Sequence, residues 1–332
     1  MQLSVIICTH NPRADYLRRT LDGLKRQTLP KEEWELLFID NASKERLAEV
    51  WDLSWHPLAR HIREDELGAA AARLRGIREF RAPILVFVDD DNVLAPDYLA
   101  QSVKIASRFP HLGVFGAGVI EPEFEISPPR ELSRYLHMLA LRKVALESWS
   151  NNPRDGISLP YGAGMAVRRS VANHCLQLAG KINASKLLGP QGPRQFRHED
   201  DLFSWASVEC GLGFGVFPEL HIHHLIAGRR LNQDFFLQLI HDSGFSGSIL
   251  HYLLAGESPR GIGFFHLIHL ILHGMRNGVF SMRCRWACLR GEAAAKKFIE
   301  QNKLETLATP AQMFSTTRIR PGLSDSGFQG TD

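Results

Sequence analysis

Three consecutive aspartates, Asp89, Asp90 and Asp91, form the densest group of chemically active side chains in the sequence. They directly follow residues 83–88, an apolar run that predicts a buried strand. Carboxylates so close together repel one another, and a hard divalent cation with oxygen ligands relieves that repulsion. Such cations commonly bridge protein carboxylates to a diphosphate. We therefore expect a divalent-metal site here; the alternative is an acidic loop that caps the next helix.

Two earlier strands also end in polar residues. Thr9 and Asn11 follow the first apolar run of the chain, and Asp40 follows the second. Because ligands of parallel sheets bind beyond the carboxyl ends of the strands, these side chains should share one edge with the three aspartates. Asp40 either accepts a hydrogen bond from the ring N–H of a base or caps the following helix. Arg73, in an alanine-rich helix predicted over residues 67–80, either meets phosphate or lies in solvent.

A second acidic group stands at the predicted start of a later helix, where Glu199 and Asp200 are adjacent. Acids at a helix start complement the helix dipole, which is the structural interpretation. The functional interpretation is a general base that takes a proton from an attacking hydroxyl. His223 and His224, which follow a later strand, either have a structural role or supply a nitrogen ligand to a metal.

The elements that position these residues alternate between strands and helices over roughly the first ninety residues. Leu17, Leu21 and Leu24 recur at helical spacing, which indicates an amphipathic helix between the first two strands. Apolar strands separated by helices are typical of a parallel sheet covered on both faces. Further on, we expect a helical stretch over residues 130–147 and only helices over residues 228–307. The predicted class is α/β, with a mostly parallel, Rossmann-like central sheet and a C-terminal helical extension.

The composition is that of an ordinary globular protein and excludes disordered, collagen-like and coiled-coil classes. A net charge of +3 over 332 residues is too small for a dedicated nucleic-acid binder. Five scattered cysteines without a Cys-x-x-Cys pair argue against disulfide frameworks and zinc ribbons. The first residues are typical of a strand, not of a signal peptide, and no apolar run reaches the ~18 residues of a membrane span. We expect a cytoplasmic protein.

Residues 262–291 combine a dense apolar segment with clustered arginines. This pattern is typical of a helix that rests on anionic lipid, which would make the protein peripheral on the inner face of the membrane. A buried helical hairpin with a basic outer face is an equal alternative. Residues 225–308 hold ten basic and six acidic side chains, so the basic excess of the protein lies in this extension. The last residues, 309–332, are rich in Ser, Thr, Gly and Pro and predict a disordered tail.

Five motifs, taken in order, resemble the signature of the family 2 glycosyltransferases, which are inverting enzymes with the GT-A fold. The resemblance covers roughly residues 2–226, and each motif is weak alone. The motifs read SVIICTHNP from residue 4, FIDNAS from residue 38, FVDDDN from residue 87, GAGM from residue 162 and ED from residue 199.

The resemblance implies a role for each matched position. Asp200 matches the catalytic base, and Glu199 lies beside it. Asp91 matches the metal ligand, and His224 falls where some members place a further histidine near the metal. The other matched positions face the donor or the acceptor: Thr9, Asn11, Asp40, Arg73, Asp89 and Asp90 bind the nucleotide sugar, and Gly162, Ala163 and Gly164 form the acceptor-side wall.

The resemblance also implies an organisation and an activity. Residues 1–226 would form the GT-A domain, with a nucleotide-sugar half over about 1–120 and an acceptor half over about 121–226; residues 227–308 would form the helical extension. The expected reaction moves a sugar from a nucleotide diphosphate, with UDP preferred, to a hydroxyl of a glycan or lipid-linked saccharide, assisted by Mn²⁺ or Mg²⁺. A nucleotidyltransferase and a non-catalytic sugar-nucleotide-binding protein are the alternatives.

Overall fold

The computed structural model describes residues 1–181, 199–259 and 261–307, which form a central sheet with flanking helices. The strands are β1 (Leu3–Thr9), β2 (Trp34–Asn41), β3 (Ala59–Glu64), β4 (Ile84–Asp89), β5 (Asn92–Leu94), β6 (Leu112–Phe124), β7 (Arg142–Lys143), β8 (Ser148–Ser150), β9 (Ala166–Arg168) and β10 (Gly213–Ile226). The helices are α1 (Ala14–Lys25), α2 (Leu47–Val50), α3 (Ala69–Glu79), α4 (Tyr98–Arg108), α5 (Arg169–Lys181), α6 (Glu199–Glu209), α7 (Gln233–Ala255), α8 (Phe264–Asn277) and α9 (Val279–Asn302). Short 3-10 segments span Lys31–Glu33, Arg130–Leu139 and Gly228–Arg230.

The long strands of the sheet run parallel. Strands β3, β2, β1 and β4 pair in that order, and β6 pairs with β10 in the same manner. Strand β9 lies antiparallel between β4 and β6 and joins these two parallel parts. Register places Thr9 opposite Asp40, and Cys8 opposite Asp89, so the polar ends of β1, β2 and β4 meet at one edge.

Helices cover both faces of the sheet. Successive side chains of β1 point alternately to one face and to the other. Val5 and Ile7 pack on one face, in a core that includes Leu17 and Leu21 of α1. Ile6 points to the other face and packs with Ala72 of α3. Because both faces of a parallel sheet are buried, such strands are apolar at every position rather than at every second one. The predicted α/β class, with its mostly parallel sheet, is confirmed.

One predicted element is wrong. The helical stretch expected over residues 130–147 ends at Leu139, and Ala140 takes a left-handed conformation with φ of 58°. The following residues form β7, which pairs with β6, and β8, which pairs with β10. Backbone groups at the sheet edge gain partners this way; the Val144 N–H, for example, donates to the Gly118 carbonyl over 2.9 Å. Pairing with strands that are distant in the sequence therefore overrides the local helical pattern after Leu139.

The C-terminal helices pack on the rest of the protein through α7 and α9. Phe245 and Ile249 of α7 join Ala295 and Ile299 of α9 in one apolar cluster, and Trp205 of α6 packs against it. The described residues from 228 onward contain helices and no strand, as predicted. None of the described helices has both the length and the apolar character needed to cross a bilayer. The tail predicted over residues 309–332 lies outside the described residues.

Candidate active site

Asp90 lies just beyond the end of β4 and is linked to the end of β1. The Thr9 hydroxyl donates a hydrogen bond to the Asp90 carboxylate, and Thr9 itself is buried. Burial raises the pKa of Asp90 to about 7, and the neighbouring charges of Asp91 and Asp89 add to the increase. The Thr9 hydrogen bond opposes the shift without cancelling it. A buried carboxylate in this state is a place where an added positive charge is strongly favoured.

Asp91 is held between two nitrogen-bearing side chains. Its Oδ2 lies 3.4 Å from His224 Nε2 and 3.2 Å from the nearest guanidinium nitrogen of Arg230. Its Oδ1 accepts a hydrogen bond from Asn92 Nδ2 at 2.9 Å. Burial opposes ionisation of Asp91, but His224 and Arg230 outweigh it and lower the pKa. Asp91 is therefore a carboxylate at neutral pH.

The donor set around Asp91 fits a divalent cation. A carboxylate oxygen and an imidazole nitrogen converge there, and both are ligands of Mn²⁺-class ions. His224 Nδ1 is buried and has no hydrogen-bond partner among the described residues. Arg230, whose guanidinium also lies 3.3 Å from His224 Nε2, places its own positive charge against both ligands. The guanidinium of Arg230 therefore lies close to both atoms that a metal ion at this position would contact.

Asp40 and Asn11 both hold the loop that follows β2. The Asp40 carboxylate accepts hydrogen bonds from the N–H groups of Ser43 at 3.0 Å and Leu47 at 3.2 Å, and pairs with Arg63 at 2.7 Å. Burial opposes its ionisation, yet the hydrogen bonds from Ser43 and Arg63 lower the pKa of Asp40. Asn11, with φ of 46°, donates its backbone N–H to Ser43 Oγ at 2.9 Å. These contacts match the capping interpretation of Asp40.

Arg73 connects the aspartate cluster to the predicted acceptor side. Its guanidinium lies 3.4 Å from Asp89 Oδ1. A Cβ atom at Gly162 would lie 3.0 Å from the same guanidinium, so a larger residue there would require Arg73 to shift. The Gly162 N–H donates to Asp200 Oδ2 at 3.2 Å. Two residues, Arg73 and Gly162, therefore lie between the predicted base and Asp89.

The predicted acceptor-side loop is fixed from behind by Tyr98. The buried Tyr98 hydroxyl donates to the Gly164 carbonyl over 2.7 Å. Gly164 has φ of +71°, and a Cβ there would lie 2.3 Å from the Tyr98 oxygen. Ala163 is buried in the core, so it contributes to the position of the loop and not to its exposed surface. Tyr98 therefore positions the loop at Gly164, two residues after the N–H group that contacts Asp200.

The family profile described as Glycosyl transferase family 2 matches residues 4–174, which is more than half of the chain. The chain belongs to this family.

Curated relatives share part of their length with this chain. It is 33% identical over 163 residues to validoxylamine A glucosyltransferase from Streptomyces hygroscopicus subsp. jinggangensis, covering 46% of this chain and 37% of that protein. It is 31% identical over 108 residues to glycosyltransferase AglE from Haloferax volcanii, covering 32% and 35% respectively. The chain thus spans little more than a third of the length of either relative.

A solved structure supports the fold of this family 2 chain. The mannosyltransferase PcManGT from Pyrobaculum calidifontis, in complex with GDP-Man and Mn²⁺, superposes with a TM-score of 0.50 at 19% identity. The superposition covers 90% of this chain and 75% of that one. The GT-A-like architecture expected from the sequence is confirmed.

Eight of the thirteen positions that the family resemblance matched form three contact groups, and Asn11, Asp40, Ala163, Gly164 and Glu199 are not part of them. The groups are Thr9 with Asp90, Asp91 with His224, and Arg73 with Asp89 and, through Gly162, Asp200. Glu199 is the first residue of α6, next to Asp200.

Arg230 is the site residue that sequence reasoning missed. It was counted with the basic extension, although it stands six residues beyond His224, just past the end of β10. Its position in the 3-10 segment Gly228–Arg230, immediately after a strand that carries a candidate ligand, is the signal that points to it.

Proposed function

We propose that this chain transfers a sugar from a nucleoside diphosphate sugar, with UDP as the first candidate, to an acceptor hydroxyl with inversion at the anomeric carbon. The observation that carries the proposal is the Asp91 cluster, in which His224 and Arg230 converge on one carboxylate beside the buried Asp90. Such an arrangement suits a leaving diphosphate better than a neutral ligand. Family membership and the GDP-Man and Mn²⁺ of PcManGT are consistent with this donor class.

Asp91 and His224 would hold a divalent cation, and Arg73 and Arg230 lie where they can meet phosphate oxygens. When bound, the cation would supply charge neutralisation for the departing diphosphate. The two guanidiniums contribute to the same task from the protein, because each already neutralises one aspartate of the cluster. Thr9 would face the base of the donor, and Asp90 would face the ribose.

Asp200 would act as the general base. The Gly162 N–H binds one of its carboxylate oxygens, which orients the side chain, and a hydroxyl of the acceptor would donate its proton to the carboxylate. The oxygen so activated attacks the anomeric carbon as the bond to the diphosphate breaks on the opposite side. One displacement inverts the configuration and needs no covalent intermediate on the enzyme.

The test is a donor panel followed by two isosteric variants. Release of nucleotide from UDP-, dTDP- and GDP-sugars is measured with Mn²⁺, with and without oligosaccharide acceptors. Asp91→Asn and Asp200→Asn should each lower kcat at least about 1000-fold, while Asp65→Asn, an exposed carboxylate, should not. An active Asp91→Asn or Asp200→Asn enzyme would contradict the assigned roles, and binding without release with every donor would support the non-catalytic alternative.

We further propose that the acceptor is lipid-linked and that α8 contacts an anionic membrane surface. Large apolar side chains at helical spacing stay 40–81% exposed along one stripe of α8; they are Phe264, Ile268, Ile271, Leu272 and Met275. Arg276, at the end of the helix, is exposed as well. An exposed apolar stripe that ends beside a cation matches the chemistry of an anionic lipid interface.

Vesicle binding tests this second part. The chain should co-sediment with phosphatidylcholine vesicles that contain phosphatidylglycerol, and less with phosphatidylcholine alone. Ile271→Ser/Met275→Ser should abolish the binding, whereas Leu146→Ser, which removes an equally exposed apolar side chain elsewhere, should preserve it. No binding by the wild type, or a concentration-dependent dimer that the double variant disrupts, would contradict a lipid surface.

A further inference from the structure

A second cluster of ligating side chains lies on β6 and β10, away from the candidate active site. His221 and His223 are two residues apart on β10, so their side chains share one face of the strand. Glu121 of β6 is the register partner of His223. His224, the next residue of β10, points to the opposite face, where it contacts Asp91, and is itself buried. The two histidines are therefore separated from the Asp91 cluster by the sheet.

The geometry of this cluster is close to that of a bound transition metal. Glu121 Oε2 lies 3.1 Å from His221 Nε2, and the rings of His221 and His223 are 4.8 Å apart between centroids. One ligand atom from each of the three residues lies within 4.8 Å of the others. In a tetrahedral zinc site, neighbouring ligand atoms are about 3.4 Å apart, given metal–ligand bonds of about 2.0–2.1 Å. A rotation of the exposed His223 ring would be needed to bring its nitrogen from within 4.8 Å to this shorter distance.

We propose that Glu121, His221 and His223 form a zinc site that ties β6 to β10. Two imidazoles and one carboxylate leave a fourth position for water, and this donor set favours Zn²⁺ over Mg²⁺ or Ca²⁺. Lys143 Nζ lies 3.6 Å from Glu121 Oε1, the oxygen that does not contact His221. Lys143 can therefore orient the carboxylate while the other oxygen binds the metal.

A simple ion pair between Glu121 and His221 is the competing explanation. It accounts for the contact between Glu121 and His221, whereas the zinc site also uses His223, which the two-residue spacing along β10 places beside His221. Across the described residues, this is the one group of three His, Cys, Asp or Glu side chains with the spacing to hold a metal. The site would be structural, because it lies on the face of β10 opposite the face that carries His224.

The experiment measures Zn²⁺ bound to the full chain after removal of metal, by competition with the dye 4-(2-pyridylazo)resorcinol. The wild type should hold one equivalent, and its thermal midpoint should rise with Zn²⁺. His221→Gln and His223→Gln should each weaken the binding at least about 100-fold and abolish the thermal shift. His269→Gln, at an exposed histidine of α8, should leave both readouts unchanged.

Co²⁺ substitution gives a readout that does not depend on the stability of the variants. A tetrahedral site gives visible d–d bands, which should appear with the wild type and be lost with Glu121→Gln. The proposal is refuted if the wild type binds no Zn²⁺ at micromolar concentration. It is equally refuted if the bound equivalent survives in both histidine variants or is lost only with Asp91→Asn. Because none of these readouts uses glycosyl transfer, the result is independent of the proposed activity.

Discussion

Replacing Asp90 with asparagine should stabilise the metal-free protein above neutral pH and leave its stability unchanged in acid. Burial, together with the charges of Asp91 and Asp89, raises the pKa of Asp90 from 3.8 to about 7. Between those values the folded protein binds more protons than the unfolded chain, so stability falls as pH rises through this window and stays low above it. At about 1.36 kcal/mol per pH unit, the loss has an upper limit of about 4 kcal/mol. Asparagine cannot ionise, and its amide oxygen still accepts the Thr9 hydroxyl.

Urea unfolding between pH 4 and pH 8.5, with EDTA present, measures this difference. The free energy of unfolding of Asp90→Asn should exceed that of the wild type by up to about 4 kcal/mol at pH 8 and match it near pH 4. Added Mn²⁺ should reduce the difference, because a cation on Asp91 favours the ionised form of Asp90. Asp65→Asn, at an exposed carboxylate, is the control. Parallel stability profiles for wild type and Asp90→Asn would refute the reasoning.

Two further substitutions follow from contacts in the same region. Arg230→Gln should tighten Mn²⁺ binding about tenfold in calorimetry, because it removes a positive charge 3.2 Å from the Asp91 carboxylate; unchanged or weaker binding would contradict this placement of Arg230. Gly164→Ala should lower the free energy of unfolding by about 2 kcal/mol or more, because an added Cβ would lie 2.3 Å from the Tyr98 oxygen at positive φ. Gly156→Ala, with open space around it, should cost little, and equal losses for the two variants would exclude steric strain as the cause.

The sequence predicted the edge of the sheet well, because that edge depends on continuous apolar runs. Each run ends in polar residues, and parallel pairing in register brings Thr9, Asp40 and Asp89 to one level. The short strands β5, β7 and β8 were missed, since two or three residues carry no periodicity of their own and pair only because β6 and β10 offer free edges. A local pattern also could not choose between His223 and His224 of β10.

Arg230 was missed for a different physical reason. Its partner, Asp91, lies 139 residues earlier in the chain, and only the return of β10 past β5 brings them together. Composition places this arginine with the basic C-terminal region, where it contributes to an average charge. In the structure, its guanidinium contacts Asp91, the carboxylate that the FVDDDN motif had already indicated as a metal ligand. The sequence shows that Arg230 follows the strand that carries His224, but not which carboxylate it contacts.

The balance of charge along the sheet edge links these observations. Asp89 is neutralised by Arg73 and Asp91 by Arg230, whereas Asp90 forms no ion pair among the described residues. A diphosphate arriving alone would add negative charge beside an unneutralised, buried carboxylate, which is unfavourable at low dielectric. A diphosphate arriving with a divalent cation would instead supply the missing positive charge and allow Arg230 to turn from Asp91 to a phosphate oxygen. The raised pKa of Asp90 and the position of Arg230 therefore both favour binding of the donor and the cation as one unit.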